Sequence, residues 1–135
     1  MSRPSKAHTR LAWILCGVCL LLYVGALLLL FLSREHPRPE PFGPLVSSLV
    51  DLLTSVSLPV VGAVIASHRP RNPIGWLLLA GALASSIASF ADEWAFRALL
   101  VDPGSLPAGG LAILMTQTLW PVSYTHLTLP TIYSV

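Results

Sequence analysis

The longest uncharged run in the chain constrains the fold more than any other feature. Residues 11–32 (LAWILCGVCLLLYVGALLLLFL) contain no charged side chain. At 1.5 Å per residue in an α-helix, this run measures about 33 Å, which is enough to cross a hydrocarbon core of about 30 Å. The sequence therefore predicts an uncleaved membrane-spanning helix, because the apolar core of a secretory signal peptide is shorter and ends in a small-residue cleavage site.

The composition of the whole chain favours several such helices. The 135 residues are 54% hydrophobic and only 10% charged, whereas about a quarter of the residues in a soluble domain are charged. A net charge of +2 with scattered aromatic residues provides no basic patch interleaved with stacking platforms, so nucleic-acid binding is excluded. We expect an all-α, multi-pass transmembrane helical bundle.

Further apolar segments follow the first, separated by turns rich in proline or glycine. The predicted spans cover residues 11–32, 45–67 and 74–100, with the start of a fourth at 111–121. Pro59 lies in the middle of the second span, where we expect a bend that neighbouring helices can tolerate. The transmembrane module therefore extends over residues 11–121, after a basic tail at 1–10.

The distribution of basic residues predicts the orientation. Five Lys or Arg residues lie in the amino-terminal tail and in the turn between the second and third spans, against three in the other flanking segments. Cytoplasmic segments are enriched in Lys and Arg. We therefore expect the protein to lie in the cell membrane with its amino terminus inside, and with Arg69, Arg71 and Asn72 in a cytoplasmic turn.

Two carboxylates near the opposite end are candidates for a polar sensing pocket. Asp51 lies in the first two turns of the second span and Asp92 lies near the end of the third. An ionisable residue in a span indicates a functional site, because burying its charge without a partner is costly. Two interpretations stay open: these carboxylates line an outer pocket together, or Asp51 interacts with the helix dipole and Asp92 belongs to an interfacial belt.

The residues after Asp92 predict an interfacial pair. Glu93 and Arg97 are four positions apart, so their side chains can meet on one helix face. Trp94 between them is an amphipathic ring typical of the headgroup level.

Small residues in the third span predict close helix packing. Ala80, Ala84 and Ala88 recur every four positions, beside Gly81 and Ser85. Such a face lets another helix approach closely, within the bundle or in a homodimer.

No residues with a recognisable catalytic or ligand-binding pattern accompany these features. Cys16 and Cys19 lie inside an apolar run, where they are expected to pack between helices, and two cysteines are too few for a disulfide scaffold or a four-ligand zinc site. The chain has no nucleotide-binding, metalloprotease or serine-hydrolase motif. We expect no catalysis by this chain as it stands, no metal site and no cofactor.

Two motifs flank the third span: R-P-R-N-P-I-G-W at 69–76 and P-G-S-L-P at 103–107, with small residues and an acidic-aromatic end between them. This arrangement resembles the amino-terminal membrane region of a group of bacterial sensor histidine kinases. The resemblance implies a truncated membrane input module of a two-component system, whose partner in the intact protein is a cytoplasmic kinase output domain. The alternatives are a fragment of a transporter or channel subunit, and a structural membrane protein without a ligand.

The last fourteen residues, 122–135 (VSYTHLTLPTIYSV), differ in character from the rest of the chain. Polar and apolar residues alternate there, and the span that begins at residue 111 is not completed. The segment VSYTHLTLPT resembles the conceptual translation of a transposase-type sequencing adapter. This resemblance implies a non-native tail, with the native reading frame cut at or near Pro121.

Overall fold

The structure, a computed structural model, describes residues 6–36, 44–119 and 121, and the side chains of residues 44–48 lie outside that description. Three long helices form the molecule: α1 (Lys6–Leu32), α2 (Pro44–His68) and α3 (Pro73–Phe96). A short apolar helix, α4 (Gly109–Leu119), follows. No strand occurs in the described ranges, which confirms the all-α class. The non-native tail predicted at 122–135 lies outside the described residues.

Three helical segments are long and apolar enough to cross a membrane. These segments are Lys6–Leu32, Leu49–His68 and Pro73–Val101. Their large apolar side chains point outwards: Leu21 is 73% exposed and Leu53 is 68% exposed. In water such exposure would be costly, but lipid tails solvate these side chains. The chain is therefore a membrane-spanning protein.

The three long helices pack against one another as a bundle. The ring of His8 in α1 lies 6.4 Å from the ring of Trp76 in α3, edge to face. The start of α1 therefore lies beside the turn that joins α2 to α3. We call this end of the bundle, with residues 6–10 and 69–72, the turn end, and the opposite end, with residues 33–36 and 102–108, the loop end.

Small side chains fill the centre of the bundle. The main buried cluster consists of Ala12, Cys16, Ala63, Ala66 and Leu79. Apolar side chains gain no free energy by moving from lipid into the protein, so close backbone approach and dispersion contacts hold the helices together. Cys16 and Cys19 are both buried, which confirms their predicted packing role.

The buried face of α3 differs from the predicted stripe. Gly81 and Ala88 are buried, whereas Ala80 is exposed and Ala84 is half-buried. Gly75 instead brings α3 close to α2, because a Cβ atom there would lie 2.6 Å from the amide nitrogen of Ala66. Which small residues pack inside depends on how α3 is rotated about its axis, and a four-residue repeat does not determine that rotation.

The ends of α3 show how the sequence starts and stops this helix. The Asn72 side chain accepts a hydrogen bond from the Ile74 amide at 3.0 Å, and Pro73 occupies the first turn, where its missing N–H costs nothing. At the other end, the predicted single helix to residue 100 changes at Arg97 into a π-helical turn, Arg97–Val101. Asp102 N then bonds to Arg97 O at 3.1 Å.

Candidate functional site

A polar contact between α1 and α2 lies in the loop-end half of the bundle. The Tyr23 side chain of α1, 7% exposed, lies close to the Ser55 hydroxyl and within electrostatic reach of Asp51. Asp51 and Ser55 are four residues apart, so they share one face of α2. The structure therefore joins the predicted candidate Asp51 to two residues that sequence analysis did not select.

Pro59 makes the backbone at this contact more polar than an ordinary helix turn. It lies inside α2, which continues through it without a break. Proline has no N–H, so the carbonyl at position i−4, that of Ser55, receives no bond from residue 59. Ser55 thus contributes a hydroxyl and this carbonyl at one level of the bundle.

Other hydroxyl groups on this half of α2 bond to their own helix. Thr54 Oγ1 donates to Val50 O at 2.9 Å and to Asp51 O at 3.1 Å, and Ser57 Oγ donates to Thr54 O at 3.5 Å. These bonds satisfy the hydroxyls locally without a second helix. The contact of Tyr23 with Ser55 differs from these bonds because it joins two helices.

The second predicted carboxylate, Asp92, is exposed on α3, and its neighbour Glu93 is half-buried. Asp51, Asp92 and Glu93 all have interaction partners. The joint pocket of Asp51 and Asp92 stays a prediction.

Arg97 is half-buried at the start of the π-helical turn. Its Nη1 atom is buried and has no hydrogen-bond partner within the described part of the chain. A guanidinium nitrogen in that position raises the free energy of the folded state, because its lost hydration is not replaced. The predicted pairing of Arg97 with Glu93 stays a prediction.

Trp94 connects α3 to the loop that precedes α4. Its indole Nε1 donates to Pro107 O at 3.1 Å, and its ring lies 5.8 Å from that of Phe90. Beside it, Ala91 and Ala95 pack against Ala112 of α4. Sequence analysis placed Trp94 at the headgroup level, and the structure adds that it ties α4 to the bundle.

A second indole bond orders the turn end. Trp76 Nε1 donates to Pro70 O at 3.0 Å, which closes the turn between α2 and α3. His68 Nδ1 lies 2.9 Å from Val64 O and 3.2 Å from Ser67 Oγ. Arg69 and Arg71 remain exposed on this ordered turn, and Asn72 serves as the cap of α3.

The two buried thiols lie in the interior of the bundle. Cys16 and Cys19 are free cysteines, and Cys19 lies close to the Ser86 side chain of α3. In the described ranges, no group of three or more His, Cys, Asp or Glu side chains is arranged to hold a metal ion.

Comparisons with known proteins identify no relative. No protein-family model, no curated protein and no solved structure matches the chain significantly.

Proposed function

We propose that the chain is the membrane input module of a two-component sensor histidine kinase, with its amino terminus in the cytoplasm. The observation that carries the proposal is the polar contact of Tyr23 with Ser55 beside Asp51. This contact joins two spans away from the turn end. The motif resemblance around the third span adds support for a kinase as the parent.

Helix α2 is the element that connects the two ends. It carries Asp51 and Ser55 in the loop-end half and ends at His68, next to the ordered turn. Between them, a Cβ atom on Gly62 would lie 3.0 Å from Leu79 N of α3, so the two backbones are in close contact. A change in charge or ligand at Asp51 would move α2 against α1, and tight packing would transmit the movement to α3 as a rigid-body shift.

The test requires the uninterrupted gene. Long-read sequencing of the source locus should show a coding sequence that continues past Pro121 into a completed fourth span and a cytoplasmic kinase domain. The full-length protein, reconstituted in liposomes, should then autophosphorylate with ATP at a rate that Asp51→Asn and Ser55→Ala change several-fold. Ser57→Ala is the matched control, because the Ser57 hydroxyl bonds only within α2 in the described contacts.

Asp92→Asn separates the two interpretations of the outer carboxylates. If Asp92 lines a pocket with Asp51, its substitution changes autophosphorylation in the same direction as Asp51→Asn while membrane insertion is retained. If Asp92 belongs to the interfacial belt, the autophosphorylation rate of Asp92→Asn equals that of the Ser57→Ala control. A locus without a kinase domain, or rates equal in all variants, would refute the proposed function.

A transporter or channel subunit is the second candidate, and Pro59 is the observation that favours it. A proline inside a span, with a freed carbonyl at Ser55 near an ionisable residue, is typical of ion pathways in transporters. Further spans in inverted topology after Pro121, together with ion flux in liposomes, would support this function. If the locus encodes neither a kinase domain nor further inverted spans, a structural membrane protein without a ligand is the third candidate.

We also propose a homodimer through the small-residue face that α3 leaves outside the bundle. Ala80 is exposed and Ala84 is half-buried, so a second copy could approach closely there. Disulfide formation by Ala80→Cys in a Cys16→Ala/Cys19→Ala background would support the dimer. Equal cross-linking by Leu21→Cys, on the lipid-facing side of α1, would refute it.

A further inference from the structure

Positive and negative charges are distributed unevenly along the sequence. Five Lys or Arg residues and no acidic residue belong to the turn end or to the chain before it: Arg3, Lys6, Arg10, Arg69 and Arg71. The remaining segments carry three arginines and all six acidic residues. The first group of residues has a formal charge of +5 and the second group a formal charge of −3, which together give the net charge of +2.

The tertiary structure joins two distant basic segments at the turn end. The ring of His8 lies 6.4 Å from that of Trp76, so the start of α1 meets the turn between α2 and α3. Lys6, Arg10, Arg69 and Arg71 are all exposed there. We call these four residues the basic surface.

The basic surface lies where the apolar spans begin and end. Arg10 directly precedes the uncharged run at residue 11, and Arg69 directly follows α2. Trp13, three residues into the run after Arg10, is 49% exposed, as expected for an aromatic side chain at the lipid boundary. The cationic groups therefore lie next to the ends of the apolar spans.

We propose that the basic surface binds anionic phospholipid headgroups, with α1 and the α2–α3 turn contributing jointly. Charge complementarity carries the assignment, because several cations meet at one membrane boundary with no acidic residue in the sequence of either segment to neutralise them. Clusters of this kind directly beside a span attract anionic lipids by about 1 kcal/mol per basic residue. The inference is independent of the kinase proposal, since it needs no output domain.

The test is competitive lipid binding to the purified full chain in detergent. Equimolar phosphatidylglycerol and phosphatidylcholine with identical acyl chains are added, and the lipids that co-purify are measured by mass spectrometry. We expect a preference for phosphatidylglycerol. Arg69→Gln/Arg71→Gln and Lys6→Gln/Arg10→Gln should each lower this preference, by up to about five-fold per removed charge, which corresponds to about 1 kcal/mol.

The matched control removes two positive charges from the sequence between the first and second spans. Arg34→Gln/Arg38→Gln should retain the wild-type preference, and about 1 M salt should abolish the preference, since it shortens the Debye length to about 3 Å. The proposal would be overturned if the wild-type protein retained both lipids equally. It would also be overturned if the control variant lost as much of the phosphatidylglycerol preference as the variants of the basic surface. Displacement of phosphatidylglycerol by inorganic phosphate would also overturn it, because it would indicate a site for free anions.

Discussion

Gly75 of α3 lies directly against the backbone of Ala66 in α2, and a Cβ atom at position 75 would be only 2.6 Å from the Ala66 amide nitrogen. A backbone atom cannot rotate away as the end of a side chain can. The two helices therefore meet at this point without any side chain between them. The contact lies near the turn end, where it sets the distance between α2 and α3.

The first prediction follows from this contact. Gly75→Ala should force α2 and α3 apart and lower the free energy of unfolding by about 1–3 kcal/mol, the usual cost of overpacking. Gly17→Ala is the control, because nothing lies within 4 Å of a Cβ atom there. Thermal or detergent-induced unfolding in mixed micelles measures both variants, and equal stability of the two would contradict the prediction.

The second prediction concerns the polar contact between α1 and α2. Tyr23→Phe and Ser55→Ala each remove one hydroxyl of this contact, so their effects on unfolding should not add. A double-mutant cycle should give a coupling free energy of about 0.6 kcal/mol, and at most about 1.7 kcal/mol, the range for hydrogen bonds between membrane helices. Tyr23→Phe with Ser57→Ala should show no coupling, and coupling of equal size there would contradict the assignment.

The third prediction concerns the attachment of α4. Trp94→Phe keeps the aromatic ring but removes the N–H that donates to Pro107 O, at a cost of about 0.5–1.5 kcal/mol. Hydrogen exchange should become faster in residues 102–108 and should stay unchanged in α1. Trp13→Phe, on a side chain that is 49% exposed, should leave exchange in that loop at the wild-type rate.

The fourth prediction tests the orientation of the bundle. Single cysteines at Arg71 and Ser105, both exposed and at opposite ends, are introduced into a Cys16→Ala/Cys19→Ala background. The cysteine is placed at position 71 and not at position 72, because the Asn72 side chain caps α3. In intact cells, an impermeant thiol reagent should label Ser105→Cys and not Arg71→Cys, and the reverse pattern would contradict a cytoplasmic turn.

The fifth prediction concerns Glu93 and Arg97. Glu93 and Arg97 are both half-buried and four residues apart, and their coupling in a Glu93→Gln/Arg97→Gln cycle should be about 0.3–0.5 kcal/mol, as for other pairs at this spacing on a helix. Because Arg97 Nη1 is buried without a partner in the described residues, Arg97→Met should cost little or even raise stability. A loss above about 3 kcal/mol in Arg97→Met would show that the guanidinium has an essential partner.

Local signals along the chain predict the helices and their membrane environment. An uncharged run at residues 11–32, proline and glycine turns, and scarce charges predict membrane-spanning helices because each signal is local along the chain. The signal that starts α3 is also local, because Asn72 and Pro73 act on the first turn of that helix. Asp51 could be selected as a candidate because an ionisable residue in an apolar run is visible without knowing its neighbours.

The contacts between residues of different helices could not be predicted from these local signals. Tyr23 is the contact of Ser55, and His8 meets Trp76, yet these partners are far apart in the sequence. The inward face of α3 contains Gly75 and Ala82, whereas Ala80 is left outside. In lipid, an apolar side chain has nearly the same free energy inside or outside the bundle. The rotation of each helix therefore depends on close packing and hydrogen bonds between helices, which hydrophobicity along one chain does not encode.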